Sequence, residues 1–67
     1  MITVDVEQEV DGRWIAEVPD LPGVLAYGQS RSEAVLHAQA LALRVLADRL
    51  DHGEIVPQVG SVFAVSP

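Results

Sequence analysis

Between Val18 and Ala34 the chain reads VPDLPGVLAYGQSRSEA, two prolines, two glycines and a helix-start signal within seventeen residues. No side chain in this stretch is an obvious catalyst, so its first constraint falls on the path of the backbone. Pro19 has no N–H to donate and closes the strand before it. Asp20 leads into Leu21-Pro22-Gly23, which fits a type II turn: proline presets the first central φ and glycine takes the positive one. VLAY then reads as a short strand, and Gly28 lets the chain swing off the sheet. Ser30-Arg31-Ser32-Glu33 is a capping box, the serine accepting from the Glu33 N–H while the Glu33 carboxylate reaches back. Pro19, Asp20, Pro22, Gly23, Gly28, Ser30 and Glu33 are therefore structural motif residues, building a strand–turn–strand–helix path.

Upstream, ITVDVEQEV over residues 2–10 alternates apolar and polar side chains, the period of a strand with one dry and one wet face. Asp11-Gly12 signals a hairpin and RWIAEV supplies the second strand. A two-residue loop would put Trp14, Ala16 and Val18 on the acidic face. A three-residue loop with Gly12 as a bulge puts them beside Val4 and Val6, with Glu9 opposite Arg13. A slip of one residue flips every side chain, so the apolar face favours the bulged register.

Downstream, the spacing predicts a helix from about Arg31 to Leu50 or Asp51, with Gly53 just past its end as the stop. At about 100° per residue, Glu33, His37, Arg44, Asp48 and Asp51 fall in one narrow wedge and nearly everything else is apolar. A helix covering one sheet face needs a much narrower dry stripe. Ala34, Ala38 and Ala42 form a line able to lie close on the sheet. The leucines Leu36, Leu43, Leu46 and Leu50 are left as candidate oligomer contacts. EIVPQVG reads as a connection and SVFAV as a short C-terminal strand returning to the sheet.

The 67 residues form a single domain, 1–67, with no cysteine. A domain of this size hides only about 60% of the surface of its unfolded chain. Small folds make up the shortfall with disulfides, metal or self-association. Without thiols, and with His37 and His52 fifteen residues apart outside any metal-ligand spacing, self-association remains. The net charge of −6 and a pI near 4.4, with four scattered arginines and no lysine, argue against nucleic acid as a direct ligand and suit either a basic protein partner or simple solubility. No run reaches membrane-spanning length and no signal-peptide pattern opens the chain, so a cytoplasmic location is expected.

No catalytic, cofactor-binding or metal site emerges. Asp5, Glu7 and Glu9 share a strand face, but same-face neighbours sit about 7 Å apart and a metal-dependent nuclease needs acids converging from several elements. The serines lie in a cap, a first helical turn and the tail, with no nucleophile elbow. His37 is one helical turn after Glu33, an exposed i,i+4 pair. Asp5, Glu7 and Glu9, with Asp11 close by, are instead the densest negative patch and the candidate partner-binding face. Trp14 and Tyr27 read as packing residues.

The segment DGRWIAEVPDLPGVLAYGQSRSEAVLHAQ resembles the signature region of HicB-like antitoxins: an aromatic strand, a P-D-L-P-G turn, a glycine, a hydroxyl residue and a Glu-Ala pair opening an alanine- and leucine-rich helix. DHGEIVP is similar to that family's helix exit, and the resemblance covers roughly residues 1–57. It implies an α+β fold, β-β-β-α-β, with a three-stranded antiparallel sheet, one long helix packed on one face and a short C-terminal strand: a truncated ribonuclease-H-like fold without its catalytic acids. It also implies a partner, a small basic HicA-like toxin of double-stranded-RNA-binding-like fold that cuts mRNA with a histidine. Many such antitoxins carry a C-terminal DNA-binding segment. The sequence to Pro67 shows no ribbon-helix-helix or helix-turn-helix pattern, so the short form is expected and direct nucleic-acid binding is not. The expectation is a non-enzymatic domain that oligomerises as a dimer or tetramer and occludes such a toxin. The alternatives are a residual metal-dependent nuclease and an orphan oligomer without a toxin.

Overall fold

The computed structural model describes residues 1–67. Three short strands, β1 (Asp5–Gln8), β2 (Trp14–Glu17) and β3 (Leu25–Gly28), precede one helix, α1 (Arg31–Asp51), and a 3-10 turn at Pro57–Val59. The strands form an antiparallel sheet in the order β1-β2-β3, and α1 covers one of its faces. The fold is α+β.

The hairpin takes the bulged register. Val6 pairs with Ala16 and Gln8 with Trp14, and the Glu9 N–H donates to the Arg13 carbonyl at 2.7 Å across the loop. Gly12, at φ +94°, closes that three-residue loop by donating to the Glu9 carbonyl at 3.0 Å. Side chains from Val4, Val6, Trp14, Ala16 and Val18 thus face the helix together. The paired segment of the first strand is shorter than its alternation, but Ile2 and Val4 still pack on the core.

Two turns share Leu21. Its N–H donates to the Val18 carbonyl and its carbonyl accepts from the Val24 N–H, both at 3.0 Å, and Gly23 at φ +86° fills the second central position of the second turn. The Val18 N–H then donates to the Val24 carbonyl, restarting the sheet. Leu21 is fully buried, so the P-D-L-P-G motif folds a plug into the core as well as turning the chain.

Gly28 acts differently from the sequence expectation. Its backbone lies outside the left-handed region, but a Cβ there would sit 2.4 Å from the Ala34 nitrogen. It is a close-approach glycine that lets the start of α1 lie against β3. The helix begins as the capping box requires: Ser30 Oγ accepts from the Glu33 N–H at 3.1 Å. The Glu33 carboxylate accepts from Gln29, one residue before the cap, at 2.9 Å. At the other end the Gly53 and Glu54 N–H groups donate to the Leu50 and Arg49 carbonyls, both at 3.0 Å, the paired bonds of a Schellman stop.

Ala34, Ala38 and Ala42 are buried against the sheet, with Leu46 on the same side. Small side chains let the helix approach closely, and the resulting core is made mostly of alanine and valine. The expected C-terminal strand does not form: after Val56 seals the core, Ser61–Pro67 carries no regular structure and is exposed throughout.

Candidate functional site: the outer sheet face

The register that sends Trp14 and Val6 inward sends the intervening side chains outward. Asp5 lies opposite Glu17, Glu7 opposite Ile15, Ile15 opposite Tyr27, and Glu17 opposite Leu25. The outer face is therefore a half-buried Ile15 flanked by exposed Leu25 and Tyr27 and bordered by three carboxylates. Asp5, Glu7, Ile15 and Glu17 line a shallow depression on it. Of the acids expected to meet a partner, Asp5 and Glu7 stand together here, and Glu9 lies at the hairpin end opposite Arg13.

Glu17 joins this group only because the bulged register places it across from Asp5. Like charges directly opposed on neighbouring strands destabilise a sheet. Neither is relieved within the chain, since the only close contacts between acidic and basic side chains are Arg13–Asp11 and His52–Asp48. The face thus carries an uncompensated negative field.

Asp11 leaves the expected patch. Its Oδ1 accepts from the Arg13 N–H at 3.1 Å and its Oδ2 from the Arg13 Nε at 2.8 Å, and the backbone bond, above all, holds its carboxyl below the usual aspartate value. The Arg13 guanidinium lies 4.9 Å from the centre of the Tyr27 ring, a cation–π contact that keeps it over the third strand. Arg13 thus offsets Asp11 at the hairpin tip, while Asp5, Glu7 and Glu17 keep the far end of the face acidic.

His37 does not pair with Glu33. Its Nδ1 lies 3.0 Å from the Tyr27 carbonyl oxygen, which accepts a hydrogen bond when Nδ1 carries a proton. By the alternation of antiparallel pairing, Leu25 and Tyr27 turn their backbone groups outward from β3, so His37 caps one open acceptor of that edge. No local sequence signal could have found this contact, which joins residues ten apart across a strand–helix junction.

No three His, Asp or Glu side chains come together at metal-binding distance. Glu33 is held at the cap, so helix, first strand and later strand do not bring their acids to one point. No helix is long and apolar enough to cross a membrane.

Of the four candidate interface leucines, Leu46 is 3% exposed and belongs to the chain's own core. Leu36, Leu43 and Leu50 are solvent-facing, Leu43 at 66%. Comparison of the chain with family models, curated proteins and solved structures gives no match.

Proposed function

We propose that this chain is a HicB-like antitoxin domain that self-associates through α1 and neutralises a small basic HicA-like, mRNA-cleaving toxin by covering its active face. The observation that supports this reading is the outer sheet face, where Asp5, Glu7 and Glu17 surround Ile15 with no cation of the chain to pair with them. An apolar centre with a charged rim is the usual anatomy of a protein interface, and complementary fields steer the encounter. Occlusion needs no chemistry from the antitoxin. On this reading SVFAV becomes the fourth strand of a truncated ribonuclease-H-like sheet once the protein is assembled. The tail leaves the fold beside Met1 and Ile2, where the open edge of β1 begins.

Replacing Asp5, Glu7, Glu9 and Glu17 by Asn, Gln, Gln and Gln is expected to slow association with a HicA-like toxin and flatten its salt dependence. The fold should be retained, because these carboxylates support little of the core. Stopped-flow association across a salt series measures both quantities. An unchanged on-rate and salt slope rules this face out as the docking surface. The second reading is an oligomer with no toxin, favoured by the exposed helix leucines, which need none. A short basic, histidine-bearing reading frame beside this one separates the two.

A further inference from the structure

The solvent side of α1 carries a regular pattern. Leu36, Ala40, Leu43, Ala47 and Leu50 follow one another at intervals of four and three, the heptad spacing of a packing seam. They face away from Ala34, Ala38, Ala42 and Leu46, which hold the helix to the sheet. The seam contains no charge. On one flank stand Arg44 and Asp48, one turn apart yet not joined as an ion pair. On the other, Val62 and Phe63 line a groove with Leu43, Ala47 and Leu50, so the apolar surface continues into the tail.

We infer that this seam packs antiparallel on the same seam of a second copy of the chain, Leu43 lying against Ala47 and Leu50 against Ala40. Three observations select a second copy as the occupant. Leucine and alanine alternate along the seam, so a two-fold antiparallel partner sets Leu43 and Leu50 of each copy against an alanine, with Leu36 beyond the overlap. The Leu43–Ala47 register also brings the Arg44 and Asp48 of both copies together on one flank, two cations with two anions. The other interdigitating register, Leu43 against Ala40, moves Asp48 away and leaves Arg44 without an acid. Finally, the chain leaves more large apolar side chains exposed than buried, as expected of a fold completed by its own copy.

The layers of such a dimer run sheet, helix, helix, sheet. Each acidic face lies on the side of its sheet opposite the helix, so the two faces point in opposite directions. Resting on the antitoxin reading, this gives two independent toxin sites and a complex of two copies of each protein.

Sedimentation equilibrium of the full chain over a micromolar to millimolar series is expected to give twice the 7.2 kDa monomer mass at the upper end. A monomer throughout overturns the inference. Leu43→Glu and Ala47→Glu replace exposed residues and should each give a helical monomer by circular dichroism and sedimentation. A folded dimer in either also overturns it. The natural chain has no cysteine, so oxidative cross-linking reports orientation cleanly. Leu43→Cys mixed with Ala47→Cys should cross-link, whereas Leu36→Cys alone should not. Cross-linking through Leu36→Cys would indicate a parallel pair and refute the register. Toxin binding tested separately on monomeric Leu43→Glu distinguishes a failed dimer from a failed antitoxin.

Discussion

Gly28 sits at the point where α1 meets the sheet, and only a hydrogen atom separates its Cα from the backbone of Ala34. The obstacle is main chain, which cannot rotate away as a side chain would. Gly28→Ala is therefore expected to destabilise the fold by about 1–3 kcal/mol, the range for forced overpacking. Chemical denaturation measures it, with Gly60→Ala as a milder comparison whose new Cβ would meet the Pro57 carbonyl oxygen at 3.3 Å, tight but short of a clash. Equal midpoints for the two variants would show that the helix can shift off β3. Arg13 works at the same scale by another route. Its bonds to Asp11 offset one negative charge at the hairpin tip, and its contact with Tyr27 holds it over the third strand, away from Asp5 and Glu17.

Among the elements, α1 depends on its ends because its middle has little to grip. Its buried line is three alanines and one leucine, so the sheet contact supplies modest apolar area per turn. The Ser30 cap satisfies one of the helix's unpaired N–H groups, and Glu33 satisfies the Gln29 N–H in turn. Ser30→Ala is expected to cost about 1 kcal/mol, read as a lower denaturation midpoint. Ser32→Ala, whose hydroxyl lies within hydrogen-bond reach of Ser30 Oγ and accepts from no backbone group, should change it little. The sheet is thin as well, with four-residue strands and two open edges, one of them partly closed by His37. Such an element is stable only with a layer on its dry face.

At the scale of the molecule, the Cα radius of gyration is 13.8 Å, against about 11 Å for a typical domain of this length. The exposed tail from Ser61 accompanies this excess, placing Val62, Phe63 and Val65 in water. On the proposed dimer, burial of part of this surface would stabilise the fold. Its melting temperature is expected to rise on the order of 5 °C for each tenfold increase in concentration, by mass action on a dimer of this size. Calorimetry over a concentration series checks this, and a concentration-independent midpoint would mean that the single chain carries all of its stability.

Local rules written in adjacent residues determined much of this protein. The type II turn at Pro22-Gly23, the Ser30 cap, the helix stop at Gly53 and the three-strands-then-helix order each need a few neighbouring side chains and their own backbone. The bulged register was legible too, because only one pairing puts Val6, Trp14 and Ala16 on the same side. The alanine line was readable as the sheet-facing side, since period and residue size agreed there. Contacts between segments distant in the sequence were decided only by the tertiary structure. His37 caps Tyr27 and Gly28 yields to Ala34 because the sheet and helix meet at one angle and one height. Leu46 looks like its neighbouring leucines in the sequence, but it points at the sheet while Leu43 points at water. For SVFAV the propensity is that of a strand, yet in the fold it pairs with no neighbour and stays exposed. Propensity is a property of a segment, whereas burial is a property of what surrounds it.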